Sequence, residues 1–123
     1  MLFAEWQDYQ AWRPRLAEAI ETRFYPLGWL DGEVWTGRAR FWGNAEAAIV
    51  ATLRVYPTGA LEVHGLVAAG DLRAIRELIR LAEAWGRELG CIASTVESSP
   101  AWARILREDG YRPHRLAVRK ELS

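Results

Sequence analysis

With 123 residues the chain is the size of one folding unit, and a composition that is 50% hydrophobic and 26% charged is that of a globular protein rather than a disordered one. Sixteen basic residues cancel sixteen acidic ones, which speaks against a dedicated nucleic-acid binder or a polybasic membrane anchor, since both need a basic surplus. There is no apolar run of the ~20 residues a bilayer span requires, no signal-peptide pattern in Met1-Leu2-Phe3-Ala4-Glu5, and no disulfide or metal set in Cys91 with two histidines, so the expectation is a metal-free cytoplasmic protein.

In chain order, Pro14 suits the first turn of a helix. Leu16, Ile20 and Phe24 follow at i, i+4 and i+8, which predicts a helix from Pro14 to Phe24 closed by Tyr25-Pro26-Leu27-Gly28. Met1 to Trp12 reads as a short strand or an arm. A second helix is predicted over Trp29–Arg38. Ala39-Arg40-Phe41-Trp42, Ala47–Tyr56 and Ala60–Val67 then read as three antiparallel strands, joined by Gly43-Asn44 and by Pro57-Thr58-Gly59.

The clearest element is a helix over 71–89. Asp71 caps it. Leu72, Ile75, Leu78, Ile79, Ala82, Trp85 and Leu89 form one apolar stripe, arginines and glutamates fill the other face, and Gly90 ends it. Ile92–Val96 is a strand, parallel to Ala60–Val67 through a right-handed crossover. Ser99-Pro100 caps and opens a short helix over 100–109, with Trp102, Ile105 and Leu106 inward and Gly110 at its end. Arg115–Glu121 reads as a last strand. The whole is one domain, 1–123, of mixed α+β type: a Trp-rich helical part, 1–38, and a sheet core, 39–123, in three layers with helices on both faces of a mixed sheet.

This order from about Trp42 to Leu122, above all the span Leu61–Tyr111 with its Leu89-Gly90 and Gly110-Tyr111 helix ends, resembles the GNAT N-acetyltransferase superfamily. More narrowly, Gly37-Arg38-Ala39-Arg40-Phe41-Trp42, Ala68-Ala69-Gly70-Asp71-Leu72 and Ser98–Leu106 resemble the GNAT-like proteins encoded among the virion genes of tailed bacteriophages. The resemblance implies an acetyl-CoA site at the start of the long helix, where a glycine-rich loop and the helix amides hold the pyrophosphate. The matching positions are Val67, Gly70, Asp71, Leu72, Arg73 and Ala74. Only one glycine stands in the loop, and Asp71 puts a carboxylate where the phosphate belongs. The family's tyrosine acid falls at Leu106, which has no proton to give, and its helix asparagine falls at Ser99. Ser94, Thr95 and Ser98 are nearby hydroxyls at other positions. Glu62 and His64 share one face of the preceding strand: either a base pair at the acyl site or a polar solvent-side pair on a half-exposed strand, with His64 partly packed.

Trp85 and Trp102 read as core. Trp6, Trp12, Trp29, Trp35 and Trp42 crowd the first third, either as an interface with other protein chains or as a second aromatic core. The balance leans against an enzyme, toward a GNAT-like protein without cofactor that binds phage virion proteins or further copies of itself and enters a phage particle. The alternative is a divergent acetyl-CoA-dependent N-acetyltransferase acting on a primary amine, with Glu62 or His64 as base.

Overall fold

A computed structural model describes residues 2–123. Helices α1 (Phe3–Ala19) and α2 (Leu27–Thr36) precede strands β1 (Ala39–Gly43), β2 (Ala47–Val55) and β3 (Leu61–Gly70). Helix α3 (Leu72–Glu88), strand β4 (Ala93–Val96) and helix α4 (Pro100–Leu106) follow, and α4 tightens into a 3₁₀ turn at Arg107–Asp109. The sheet runs β1-β2-β3-β4, antiparallel through β3 and parallel between β3 and β4. The mixed α+β fold and the parallel pairing of β3 with β4 therefore agree with the sequence reading.

Strand alternation divides the core in two. Ala48 and Val50 of β2 face α1 and α2, together with Tyr9, Leu16, Leu30, Val34 and Phe41. Ala47, Ile49 and Ala51 point the other way, onto Ala74, Ile75, Leu78 and Ala82 of α3. Gly86 lets α3 settle on the sheet, since a Cβ there would run into the Val63 side chain. Of the expected α3 stripe, Leu72 and Leu89 at the two ends stay exposed.

Three expectations are corrected. Helix α1 begins at Phe3, and Pro14 lies inside it. Trp6, Tyr9, Leu16 and Ile20 recur at helical spacing, and Tyr9 and Leu16 are fully buried. That burial outweighs the roughly 3 kcal/mol an internal proline costs. The helix ends before Phe24, which is exposed. The predicted last strand, Arg115–Glu121, does not join the sheet. Arg23 instead holds Glu121 by two hydrogen bonds of 3.0 and 2.9 Å, and the Arg119 guanidinium lies 4.5 Å from the Phe24 ring centroid, so the segment is drawn to the α1–α2 loop.

The tryptophans are divided between the layers. Trp6 and Trp12 pack on the α1/α2 core, Trp42 packs on the α3 core with its ring centroid 5.4 Å from that of Trp85, and Trp29 and Trp35 of α2 remain exposed. Trp102 also lies against the α3 core.

Candidate functional site

Two adjoining features occupy the places the sequence marks: a buried polar cluster on β3, and the junction of β3 with α3. Between Val50–Val67 and Ala51–Gly65 the pairing slips by one residue, leaving Leu66 as a bulge. Pairing of β3 with β4 covers only Glu62–Gly65 against Ala93–Val96. From Leu66 to Gly70, β3 continues beside β2 alone, and the β4 side of its backbone is open.

Just before this opening, Glu62 and His64 project from the same face of β3, 8% and 6% exposed. They are not the solvent-facing pair of the second sequence reading. Tyr56 Oη donates to Glu62 Oε1 at 2.5 Å, a short charge-assisted bond that pushes the Tyr56 phenol up. Around His64 the donors settle the tautomer. Arg54 can only donate, so Nε2, 3.1 Å from its guanidinium, accepts; Nδ1 carries the proton and donates to Thr95 Oγ1 at 3.1 Å. Burial first, and then the Arg54 charge, hold the imidazole below its ordinary pKa of 6.5. Arg54 in turn donates to Glu97 at 3.0 Å. His64 is therefore a neutral spacer whose basic nitrogen is taken, and Glu62 is held by the Tyr56 hydroxyl. Both line a trough of about 1040 Å³ that runs around β4 and is walled on its far side by residues 112–117.

A consequence for pH follows. The unfolded chain takes up a proton on His64 near pH 6.5 while the folded protein resists it, so stability falls as the pH drops through 6.5 toward the lower native pKa. Urea melts between about pH 5 and 8 are expected to show that slope, and His64→Gln is expected to flatten it. A wild-type slope of opposite sign would show that the folded protein stabilises the imidazolium.

At the second feature, Gly70 and the first residues of α3 gather as expected. Gly70 has φ +110°, and a Cβ at this position would run into the Glu46–Ala47 backbone. The Asp71 amide donates to Glu46 O at 2.9 Å. Asp71 Oδ2 accepts from the Ala74 amide at 3.0 Å, the cap anticipated from sequence. Leu72 and Arg73 are exposed beside it, whereas Val67 packs on the α1/α2 core and stands apart from this group. The group does not fit a pyrophosphate. One of the first-turn amides is already bonded, the nearest side chain is an anion, and the glycine's freedom is used against β2.

The remaining hydroxyls also have partners. Ser99 caps α4 at Trp102. Ser94 Oγ and Tyr111 Oη lie 2.7 Å apart, and Tyr111 donates to Glu83 at 2.7 Å. Burial raises the Tyr111 phenol, and so does its bond to Glu83. Leu106, at the position of the family's acid, is 2% exposed and belongs to the packing. Burial likewise pushes the Cys91 thiol up. Sequence reading missed Arg54 and Tyr56, and named Thr95 only as a nearby hydroxyl without its contact to His64. The alternation that placed Glu62 and His64 on one face also puts Arg54 on it once β2 is paired, but Thr95 depends on the β3–β4 register, which no local pattern carries.

No protein-family model and no curated protein sequence matches the chain. Solved structures do. A GCN5-related N-acetyltransferase from Ralstonia eutropha JMP134 superposes with TM-score 0.74 at 16% identity, covering 94% of each chain. An acetyltransferase from Trypanosoma brucei gives 0.69 at 16% identity, covering 96% of this chain and 95% of that one. A predicted acetyltransferase with acetyl-CoA from Clostridium acetobutylicum gives 0.71 at 7% identity, covering 94% and 91%. The chain thus has the GNAT acetyltransferase fold over nearly its whole length, including the tryptophan-rich first third.

Proposed function

We propose that this GNAT-fold protein acts by binding other protein chains and not by acetyl transfer. The observation that carries the reading is the Asp71 carboxylate bonded to the Ala74 amide. In this fold the same helix end is where the resemblance places the donor's pyrophosphate. Two anions at one helix N-terminus oppose each other by about 1 kcal/mol or more, and displacing the cap costs a further ~1 kcal/mol. Leu106 agrees with this reading, since it offers no proton. So does His64, whose basic nitrogen faces Arg54. A setting in a phage particle, with virion proteins as partners, rests on the sequence segments around Arg38, Gly70 and Trp102. No helix among the described residues is long and apolar enough to cross a membrane.

A second reading, an N-acetyltransferase of a primary amine, is favoured by one observation: the open β4 side of β3 beyond Gly65, beside the buried Glu62 carboxylate. Thermal unfolding with acetyl-CoA titrated to the millimolar range, and free CoA alongside, decides between them. No saturable shift is expected. A ligand at ~100 times its Kd would add about 2.7 kcal/mol, several degrees for a domain of this size, and such a shift would establish the second reading. Asp71→Asn keeps a good cap while removing the charge. It is expected to leave the null result unchanged, whereas a cryptic donor site would bind more tightly.

A further inference from the structure

Strand β1 is an edge of the sheet: among the described residues nothing pairs with its outer side. The hairpin with β2 fixes which backbone groups stand there. The Asn44 amide donates to Ala47 O at 3.0 Å, in register with the β1–β2 pairs. Antiparallel pairs alternate between bonded and non-bonded, so Arg40 and Trp42 bond inward to β2. The N–H and C=O groups of Ala39, Phe41 and Gly43 therefore point outward. An unpaired row of this kind is a template for another extended chain.

The side chains along the row carry a charge. Arg40 and Trp42 project from β1 toward α3, and the Arg40 guanidinium lies 5.2 Å from the Trp42 ring centroid and 5.7 Å from that of Trp85. Arg40 is exposed, and among the described residues it has no carboxylate partner. Two rings thus hold an unanswered cation in a fixed place beside the open edge. Arg38, just before the strand, is by contrast met by Glu33 at 3.0 Å. Leu81 stands one turn before Trp85 on the same flank of α3 and is 53% exposed.

We infer that the β1 edge receives an extended acidic segment of another protein, added to the sheet as a further strand. Side chains of an added strand alternate, so every second one faces α3. One of these, an aspartate or glutamate, meets Arg40. The next on that face, two residues away, is apolar and lies beside Trp42 and Leu81. The pattern recognised is therefore acid-x-apolar. The β1 strand of a second copy does not supply it, since Ala39–Gly43 contains no acid and would bring a second unanswered arginine to the seam. The inference rests on the protein-binding reading and deepens it, naming the surface and the chemistry of the partner. Its observations lie at β1 and not at Asp71, so a shift with acetyl-CoA would overturn that reading and leave the edge to its own test.

That test selects binders of the full chain from a library of random twelve-residue peptides and measures the selected peptides by fluorescence anisotropy. The expected peptides carry the acid-x-apolar pattern, and hydrogen exchange on the complex shows new protection at the Ala39, Phe41 and Gly43 amides. Arg40→Glu is expected to weaken their binding at least about tenfold, and a lysine in place of the peptide's acid should restore it. Leu81→Asp should weaken binding as well. Both positions are exposed, so the melting temperature of each variant should hold. A selection without binders would overturn the inference, as would peptides lacking the acid or indifferent to Arg40→Glu. Protection that falls elsewhere would also overturn it, and so would light scattering that shows a second copy occupying the edge.

Discussion

Gly70→Ala is expected to destabilise the protein by about 2–6 kcal/mol, a large part of the total stability of an ordinary domain. Two costs add at this residue. Its φ of +110° lies where an L side chain is strained, which costs about 1–3 kcal/mol. The new methyl would also collide with Glu46 O and stand 2.7 Å from Ala47 Cα. Those are backbone atoms of the paired start of β2 and have no rotamer to give way, so overpacking adds about 1–3 kcal/mol. Asp71 would be displaced as well, since its amide bonds Glu46 from the next position. Chemical denaturation measures the loss. A change under 1 kcal/mol would mean that the β3–α3 junction is looser than its geometry, and the glycine would then be free to serve a ligand.

Replacing Asp31 by Ala is expected to cost about 2–3 kcal/mol by the same measurement. Asp31 of α2 accepts Tyr9 Oη at 2.6 Å and a bidentate pair from Arg13 at 2.8 and 2.7 Å, joining α2 to α1. Without it Arg13 can turn to water, its side chain being 41% exposed. Tyr9 cannot: it is fully buried, and its hydroxyl would be left without an acceptor. Tyr9→Phe removes the same bond while keeping the ring. The double variant is therefore expected to lose less than the sum of the two single losses. Full additivity would show that the hydroxyl does not couple to the carboxylate.

The same cluster sets an acid limit. The Arg13 hydrogen bonds hold Asp31 below the ordinary carboxylate range, opposed by burial, and Arg76 does the same for Asp109. A carboxylate with a depressed native pKa adds stability that is present above that range and lost as the pH falls through its native value. Stability should accordingly drop below about pH 4, and Asp31→Asn should make that drop shallower.

Much of this was legible in the chain. The stripe from Ile75 to Trp85, the Asp71 and Ser99 caps and the turns around Asn44 and Gly59 are local signals, and each landed on the element it marked. The fold class followed, because element order and the crossover rule leave few arrangements. The facing of Glu62 and His64 was also readable, since strand alternation does not depend on distant residues.

Where local and distant forces disagree, only the tertiary structure decided. Pro14 argues for a helix start, yet the burial of Tyr9 and Leu16 on the sheet carries α1 through it. Arg115–Glu121 has the alternation of a strand, yet a strand exists only with a partner, and here Arg23 and Phe24 hold the segment away. The state of the candidate site belongs to the same class. That Glu62 is buried against Tyr56, that Arg54 occupies the basic nitrogen of His64, and that Gly70 is spent on Glu46 are contacts between residues brought together by register and packing. Sequence alone determined that Glu62 and His64 share one face of their strand. Which of them remain free to act depends on partners that the chain brings in from other strands and helices.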